Sequence, residues 1–281
     1  RAGGTVYNKT LASPQTDPSV GAWAVGLRED GDVLAAGAVR SAQVGLNAQV
    51  IRLSATTGTV LWSKQVGTQT ADEVARALAV QPGGAVVLAG WKKVGAGQRK
   101  PWAARLTAAG TFVWEATPWT GDGEIVDAHL MTSGATALLG QSGITGRLVS
   151  LKPDGKQGGL SVTLKRITGW TPWAFAAAPD NGWLVVGETT EAKSPRPMWA
   201  QIDAKGMTRW TRVGKVRGAA RSVTTHGKGW LVGGETNPSG GNDDAWLTAV
   251  DGHGNRQWQR SLDGGAADSV RGLAGSADGD V

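Results

Sequence analysis

The chain has 281 residues, of which 43 are Gly, 14 Trp and none Cys, and it carries 29 Lys and Arg against 23 Asp and Glu, a formal net charge of +6. The absence of Cys excludes disulfides and thiolate metal centres, and no apolar run approaches the roughly 20 residues of a membrane-spanning helix. A 40% hydrophobic and 19% charged composition excludes a disordered chain, while many glycines between short apolar runs predict a fold rich in turns.

In chain order, GGTVYNKTLA near the start reads as a strand closing on Tyr7. Then comes a unit that recurs: a short apolar segment, a tight turn, a strand ending in Gly, a variable loop, a strand ending in Leu or another branched residue, a Gly turn and a strand closing on Trp. The first segments are WAVGL, VARALAV, IVDAHLM, WAFAAA and ARSVTT, and the Gly-ended strands stop at Gly37, Gly90, Gly140, Gly187 and Gly234. The closing phrases are IRLSATTGTVLW, ARLTAAGTFVW, QIDAKGMTRW and AVDGHGNRQW, ending at Trp62, Trp114, Trp210 and Trp258. A Gly stands four positions before each closing aromatic (Gly3, Gly58, Gly110, Gly206, Gly254), and a degenerate copy is read at Val162, with Gly158 four before it. The stretch ADEVARALAV, which alone could pass for an amphipathic helix, is read as a strand because its counterparts do not keep a helical pattern. The final ADSVRGLAGSADGDV repeats ADEVARALAVQPGGA and stops where the next strand would begin.

Short apolar runs at regular spacing, bounded by turn residues, are strand signals. A period of about 48 residues with four strands per unit predicts an all-β fold, a β-propeller of four-stranded antiparallel blades. The expected organisation is a single domain over 1–281, with blades at 14–67, 68–119, 120–167, 168–214 and 215–264. Residues 1–13 and 265–281 would supply the outer and first strands of a closing blade. That gives six blades, or seven or eight if repeats lie outside a chain that begins inside a repeat and is read as processed or partial. Tyr7, Trp62, Trp114, Trp210 and Trp258 are the expected outer-strand anchors, wedged between blades.

The phrases WLTAVDGHGNRQWQRSLDGGAADSV and RLSATTGTVLWSKQVG resemble the repeats of bacterial exported and cell-surface propellers, W-L-x-K-L-D-x-x-G-x-x-x-W. The turn-to-Trp portion is similar to the Trp-docking motif of quinoprotein-like propellers. The resemblance implies a fold shared by enzymes, assembly factors and binding scaffolds, and a periplasmic or cell-surface location. A quinoprotein enzyme would further imply a quinone, a calcium ion and a catalytic carboxylate near the axis. Only Asp127 and Glu124 are inner-strand candidates, and the adjacent-cysteine pair of many alcohol-oxidising members is missing, so that activity is not carried over.

No catalytic residue, metal or cofactor is assigned. Asp72, Asp122 and Asp268 precede three inner strands and suit backbone N–H acceptors at blade entries. Asp127 and His129, two apart on one strand, would point to the same side. The stretch WKKVGAGQRKP is expected to be a long variable loop, with Trp91, Lys92, Lys93, Arg99 and Lys100 as its binding cluster, and Trp119, Trp170 and Trp173, which flank blade connections, left free to contact a ligand. Aromatic faces beside cations suit carboxylates. The expected function is a non-enzymatic binding or assembly module, a component of a larger assembly, whose partner is a protein or an anionic glycan and not nucleic acid. A quinoprotein-like oxidoreductase, another enzyme of the axial funnel, and a sugar-binding lectin are the alternatives.

Overall fold

The structure is a computed structural model, and it describes residues 20–41, 45–68, 71–95, 97–143, 145–164, 169–178, 182–189, 194–237 and 242–275. These residues form five four-stranded sheets, each a meander whose strands follow chain order from one edge to the other. The first holds β1 (Gly21–Leu27), β2 (Val33–Ser41), β3 (Gly45–Leu53) and β4 (Val60–Val66). The second holds β5 (Glu73–Val80), β6 (Val86–Val94), β7 (Gln98–Leu106) and β8 (Phe112–Ala116). The third is β9 (Glu124–Leu130), β10 (Thr136–Ser142), β11 (Thr145–Leu151) and β12 (Gln157–Thr163). The fourth is β13 (Trp170–Ala177), β14 (Trp183–Thr189), β15 (Pro197–Ile202) and β16 (Thr208–Val213). The fifth is β17 (Gly218–His226), β18 (Gly229–Thr236), β19 (Asp244–Val250) and β20 (Arg256–Leu262). ADEVARALAV contributes the strand β5. The helical elements among the described residues come down to one 3₁₀ turn, Pro82–Gly84.

The five sheets span residues 21–66, 73–116, 124–163, 170–213 and 218–262. The closing blade is not among the five sheets. Tyr7 and residues 1–13 lie outside the described residues, and 265–275 carry no strand.

The chain divides into two compact units, Arg1–Leu138 with Val149–Gly159, and Leu139–Leu148 with Leu160–Val281. In the first, Leu34, Ala36, Ala48 and Val50 pack against Ala75, Leu88, Trp102 and Ala104 of the next sheet. In the second, Leu184, Val186 and Trp199 pack with Ala220, Trp230, Val232 and Trp246. Alternation explains both cores: residues two apart on a strand share a face, and the small Ala and Gly of the inner strands let neighbouring sheets approach.

The two glycine series of the repeat have separate steric reasons. The strand-ending glycines sit where the inner strand bulges: the register slips between Ala22 and Ala24, Ala75 and Ala77, Pro172 and Ala174, and Ala220 and Ser222. A Cβ at Gly37, Gly90, Gly187 or Gly234 would overlap a backbone carbonyl oxygen of that bulge. The turn glycines instead receive the ring of the preceding repeat. Gly110 lies on Trp62 and Gly155 on Trp114 in the first unit, and Gly254 lies on Trp210 in the second.

Trp62, Trp114, Trp210 and Trp258 occupy one register position, opposite Arg52, Arg105, Gln201 and Ala249. Their burial differs. Trp62, Trp114 and Trp210 are half-buried, whereas Trp258 is 41% exposed, so the described residues do not wedge it. The degenerate repeat also needs a correction. Val162 does take the anchor's place against Gly206, but the turn glycine of its own repeat is Gly155, at φ 82°, not Gly158.

Two turn aspartates fix these hairpins. Asp203 accepts hydrogen bonds from the Met207 and Lys205 amides, and Asp251 from the Asn255 and His253 amides. The Met207 and Asn255 amides, respectively, do most to hold these carboxyls below the usual carboxylate range.

Candidate binding surface

The stretch expected as a loop is mostly strand, with residues 91–94 ending β6 and 98–101 beginning β7. It is the upper half of the β6–β7 hairpin, with Trp91 opposite Pro101, Lys92 opposite Lys100, Lys93 opposite Arg99 and Val94 opposite Gln98. Like charges facing each other across a ladder are destabilising, so this hairpin needs carboxylates from elsewhere. The segments entering β5 and β9 supply most of them. Lys92 Nζ lies 3.3 Å from Glu73 Oε1 and 3.5 Å from Glu115 Oε1. Lys93 pairs with Asp72 at 3.6 Å, Arg99 with Glu124 at 3.4 Å, and Lys100 with Asp122 at 2.8 Å. Every cation of the cluster therefore has a carboxylate, and the network holds one more carboxylate than cations. Arg99 also stacks on the Trp91 ring at 4.3 Å. Trp91 itself is 7% exposed and belongs to an apolar cluster with Ala38, Leu46 and Val74, so it acts as a platform beneath Arg99 rather than an open face.

Glu73 anchors the inner end of this network. It is 0% exposed, and its Oε1 accepts bonds from the Thr68 amide at 3.0 Å and hydroxyl at 2.9 Å. Lys92 is the cation that compensates it, and a buried carboxylate stripped of its cation is strongly destabilising. Glu115, by contrast, is an outer-strand residue that also accepts the Trp102 indole N–H at 3.3 Å. It borders a groove of about 690 Å³ between β4 and β8, with Val66, Leu106 and Phe112 as apolar walls and Lys64, Gln65 and Thr68 among its polar lining. Two of the three entry aspartates accept backbone amides, while Asp122 is seen paired with Lys100. Asp72 takes the Leu46 N–H at 2.9 Å and Asp268 the Gly264 N–H at 2.7 Å.

Trp119 and Trp170 are not free to meet a ligand. Trp119 is 7% exposed and packs with Ala77, Ile125 and Ala128, and Trp170 is 1% exposed. Trp119 shares the hairpin's unit, whereas Trp170 belongs to the other. Asp127 and His129 do share a side, with Oδ2 and Nε2 3.4 Å apart. Among the described residues, no three His, Asp or Glu side chains converge as metal ligands would.

The sequence reading missed a second network, in the other unit. Arg221 donates from Nε to Glu235 Oε1 at 2.6 Å and pairs with it through Nη2 at 2.6 Å and with Glu188 at 3.7 Å. Its guanidinium lies 4.4 Å from the Trp173 ring centroid. Trp173 Nε1 donates to Glu188 Oε1 at 3.1 Å, and Ser269 Oγ to Glu235 Oε2 at 2.6 Å. One signal could have exposed it: WLVVGET and WLVGGET place Glu188 and Glu235 directly after the strand-ending glycine of successive repeats.

Comparison with known proteins bears on the fold. No family model matches the chain, and no curated protein matches it. Solved structures do. A sialidase described as Hadza microbial sialidase Hz136 is matched at TM-score 0.58 and 11% identity, over 86% of this chain and 58% of that one. Sqt1 from Chaetomium thermophilum is matched at TM-score 0.56 and 16% identity, over 91% of this chain and 64% of that one. The periplasmic gluconolactonase PpgL of Pseudomonas aeruginosa is matched at TM-score 0.58 and 12% identity, over 93% and 76%. A structure described as the Dos1 propeller is also matched, at TM-score 0.52. The fold is a β-propeller. The chain spans 58% and 64% of the sialidase and Sqt1 chains. Some of these neighbours are named as enzymes and others carry no reaction in their names, and a propeller by itself places no reaction on this chain.

Proposed function

We propose that this propeller is a protein-binding module with no catalytic turnover, exported to the periplasm or cell surface, whose working surface is the β6–β7 hairpin and its carboxylate collar. The observation that carries the reading is the pairing of every hairpin cation with a carboxylate. Such a face offers both signs of charge at fixed positions, which suits the mixed-charge surface of another protein. A polyanionic glycan would have to displace five carboxylates, which favours a protein over a glycan. Lys93 and Arg99 are the most exposed cations of the hairpin, with side chains 46% and 52% accessible, and their 3.6 and 3.4 Å pairs are the kind a partner's carboxylate can exchange at little cost. Sqt1, one of the matched propellers, has also been solved bound to the N-terminus of ribosomal protein L10, which supports a protein partner in kind.

The test leaves Lys92 in place, because Glu73 depends on it, and replaces Lys93, Arg99 and Lys100 together by Ser. Proteins captured from an envelope extract are compared between wild type and variant at about 0.1 M and about 1 M salt, where the screening length falls from about 10 to about 3 Å. A specific protein captured by wild type, at least tenfold less at high salt or by the variant, is the expected result. Capture indifferent to both changes would remove the hairpin from the interface. Firm retention of wild type on a heparin column, lost in the variant, would restore the glycan reading.

A further inference from the structure

Trp23, Arg76, Trp173 and Arg221 are the bulged residues of four inner strands, each set opposite the step next to a strand-ending glycine. A bulge turns its extra residue out of the ladder and re-aims the side chain. The same device is therefore built once in each unit: a bulged Trp capped by the bulged Arg of the following repeat. Arg221 lies 4.4 Å over Trp173 and Arg76 lies 5.2 Å over Trp23.

The two copies differ in what completes them. Behind Trp173 and Arg221, the residues following the strand-ending glycines are Glu188 and Glu235. Glu188 Oε1 takes the Trp173 N–H and faces the guanidinium, and Glu235 takes its fork. The corresponding residues behind Trp23 and Arg76 are Ala38 and Trp91, both buried in an apolar cluster. Trp23 is 37% exposed and Arg76 is exposed. Neither donates a hydrogen bond to any described residue, and no described carboxylate pairs with Arg76.

We propose that Trp23 and Arg76 form a carboxylate-binding site, in which a ligand takes the place that Glu188 fills in the other unit. A guanidinium held against an aromatic face has lost part of its rotamer freedom, and its planar fork matches a carboxylate. The indole N–H of Trp23, which no described residue accepts, supplies the additional donor that Trp173 gives Glu188. The ligand is an organic acid of this planar kind, either the side chain of an acidic peptide or a sugar acid. The site lies outside the β6–β7 hairpin and does not depend on the function proposed for it.

The test is a titration of the intact chain with N-acetyl-L-glutamate and, separately, with D-glucuronate, following the indole N–H resonances by NMR at constant ionic strength set by chloride. The expected result is a saturable shift of the Trp23 N–H at millimolar ligand, with the Trp173 N–H, already bonded to Glu188, unmoved. Arg76→Gln is expected to weaken the response at least tenfold, with Arg76→Lys between the two. Which of the two acids binds assigns the peptide or the sugar class. Failure of both acids to shift Trp23, an equal shift with chloride alone, or a shift that Arg76→Gln leaves intact would overturn the site. Arg76 is exposed, so its variants test the proposal without threatening the fold.

Discussion

Trp230→Ala is expected to destabilise the second unit by about 3–5 kcal/mol, the range for a large aromatic removed from a packed core. Trp230 is 1% exposed, meets the Trp210 ring edge-on at 6.4 Å, and donates its indole N–H to the Ala177 carbonyl at 3.2 Å. The substitution therefore opens a cavity and removes the hydrogen bond to the Ala177 carbonyl together. Trp210→Ala should cost less, because Trp210 is half-buried and rests on Gly254 beneath Arg212. Thermal unfolding of the two variants ranks them, and a Trp210 variant melting below the Trp230 variant would show that the outer-strand ring is the true anchor.

The second large effect comes from one added methyl group. Gly90→Ala should cost about 3 kcal/mol or more, at the upper end for an overpacked core, because the new Cβ would overlap the Val74 carbonyl oxygen at the β5 bulge. Backbone cannot swing aside as a flexible side chain does. Gly159→Ala is the matched control: nothing lies within 4 Å of its Cβ position, and a change of under about 0.5 kcal/mol is expected there. Denaturant midpoints of the two variants check this, and equal midpoints would mean that the bulge relaxes without cost.

The repeat made the strands and their register legible because it rests on local sterics. Gly90 and Gly234 recur since only Gly tolerates the bulge, and Gly254 recurs since a ring lies on it. The candidate surface was less legible. Lys92, Lys93, Arg99 and Lys100 around Gly95 and Gly97 break the alternation expected of a half-buried strand, so a charged hairpin resembles a loop until the carboxylates that neutralise it are seen. Those carboxylates come from 20 to 25 residues away in several cases, as with Lys100 and Asp122 or Arg99 and Glu124. Glu188 and Arg221 meet only because consecutive sheets stack. Tandem glycines at 158 and 159 likewise drew attention from Gly155, whose positive φ marks the actual turn. Trp119 and Trp170 looked spare because a count of anchors by repeat leaves no other use for them, while the cores use both.

The seating of one repeat's ring on the next repeat's turn glycine makes the molecule a series of joints of unequal strength. At Gly110, Gly155 and Gly254 the joint is filled by an indole, but at Gly206 it is filled by Val162, with a fraction of the contact area. Dispersion attraction grows with the number of atoms in contact, so among these four described joints this one has the least holding it shut. In a stack where each repeat answers mainly to its neighbours, the place that first parts under thermal agitation is set by the weakest link and not by the average. The substitution that blurred the repeat in the sequence thus also names, among the four described joints, the seam that would part first.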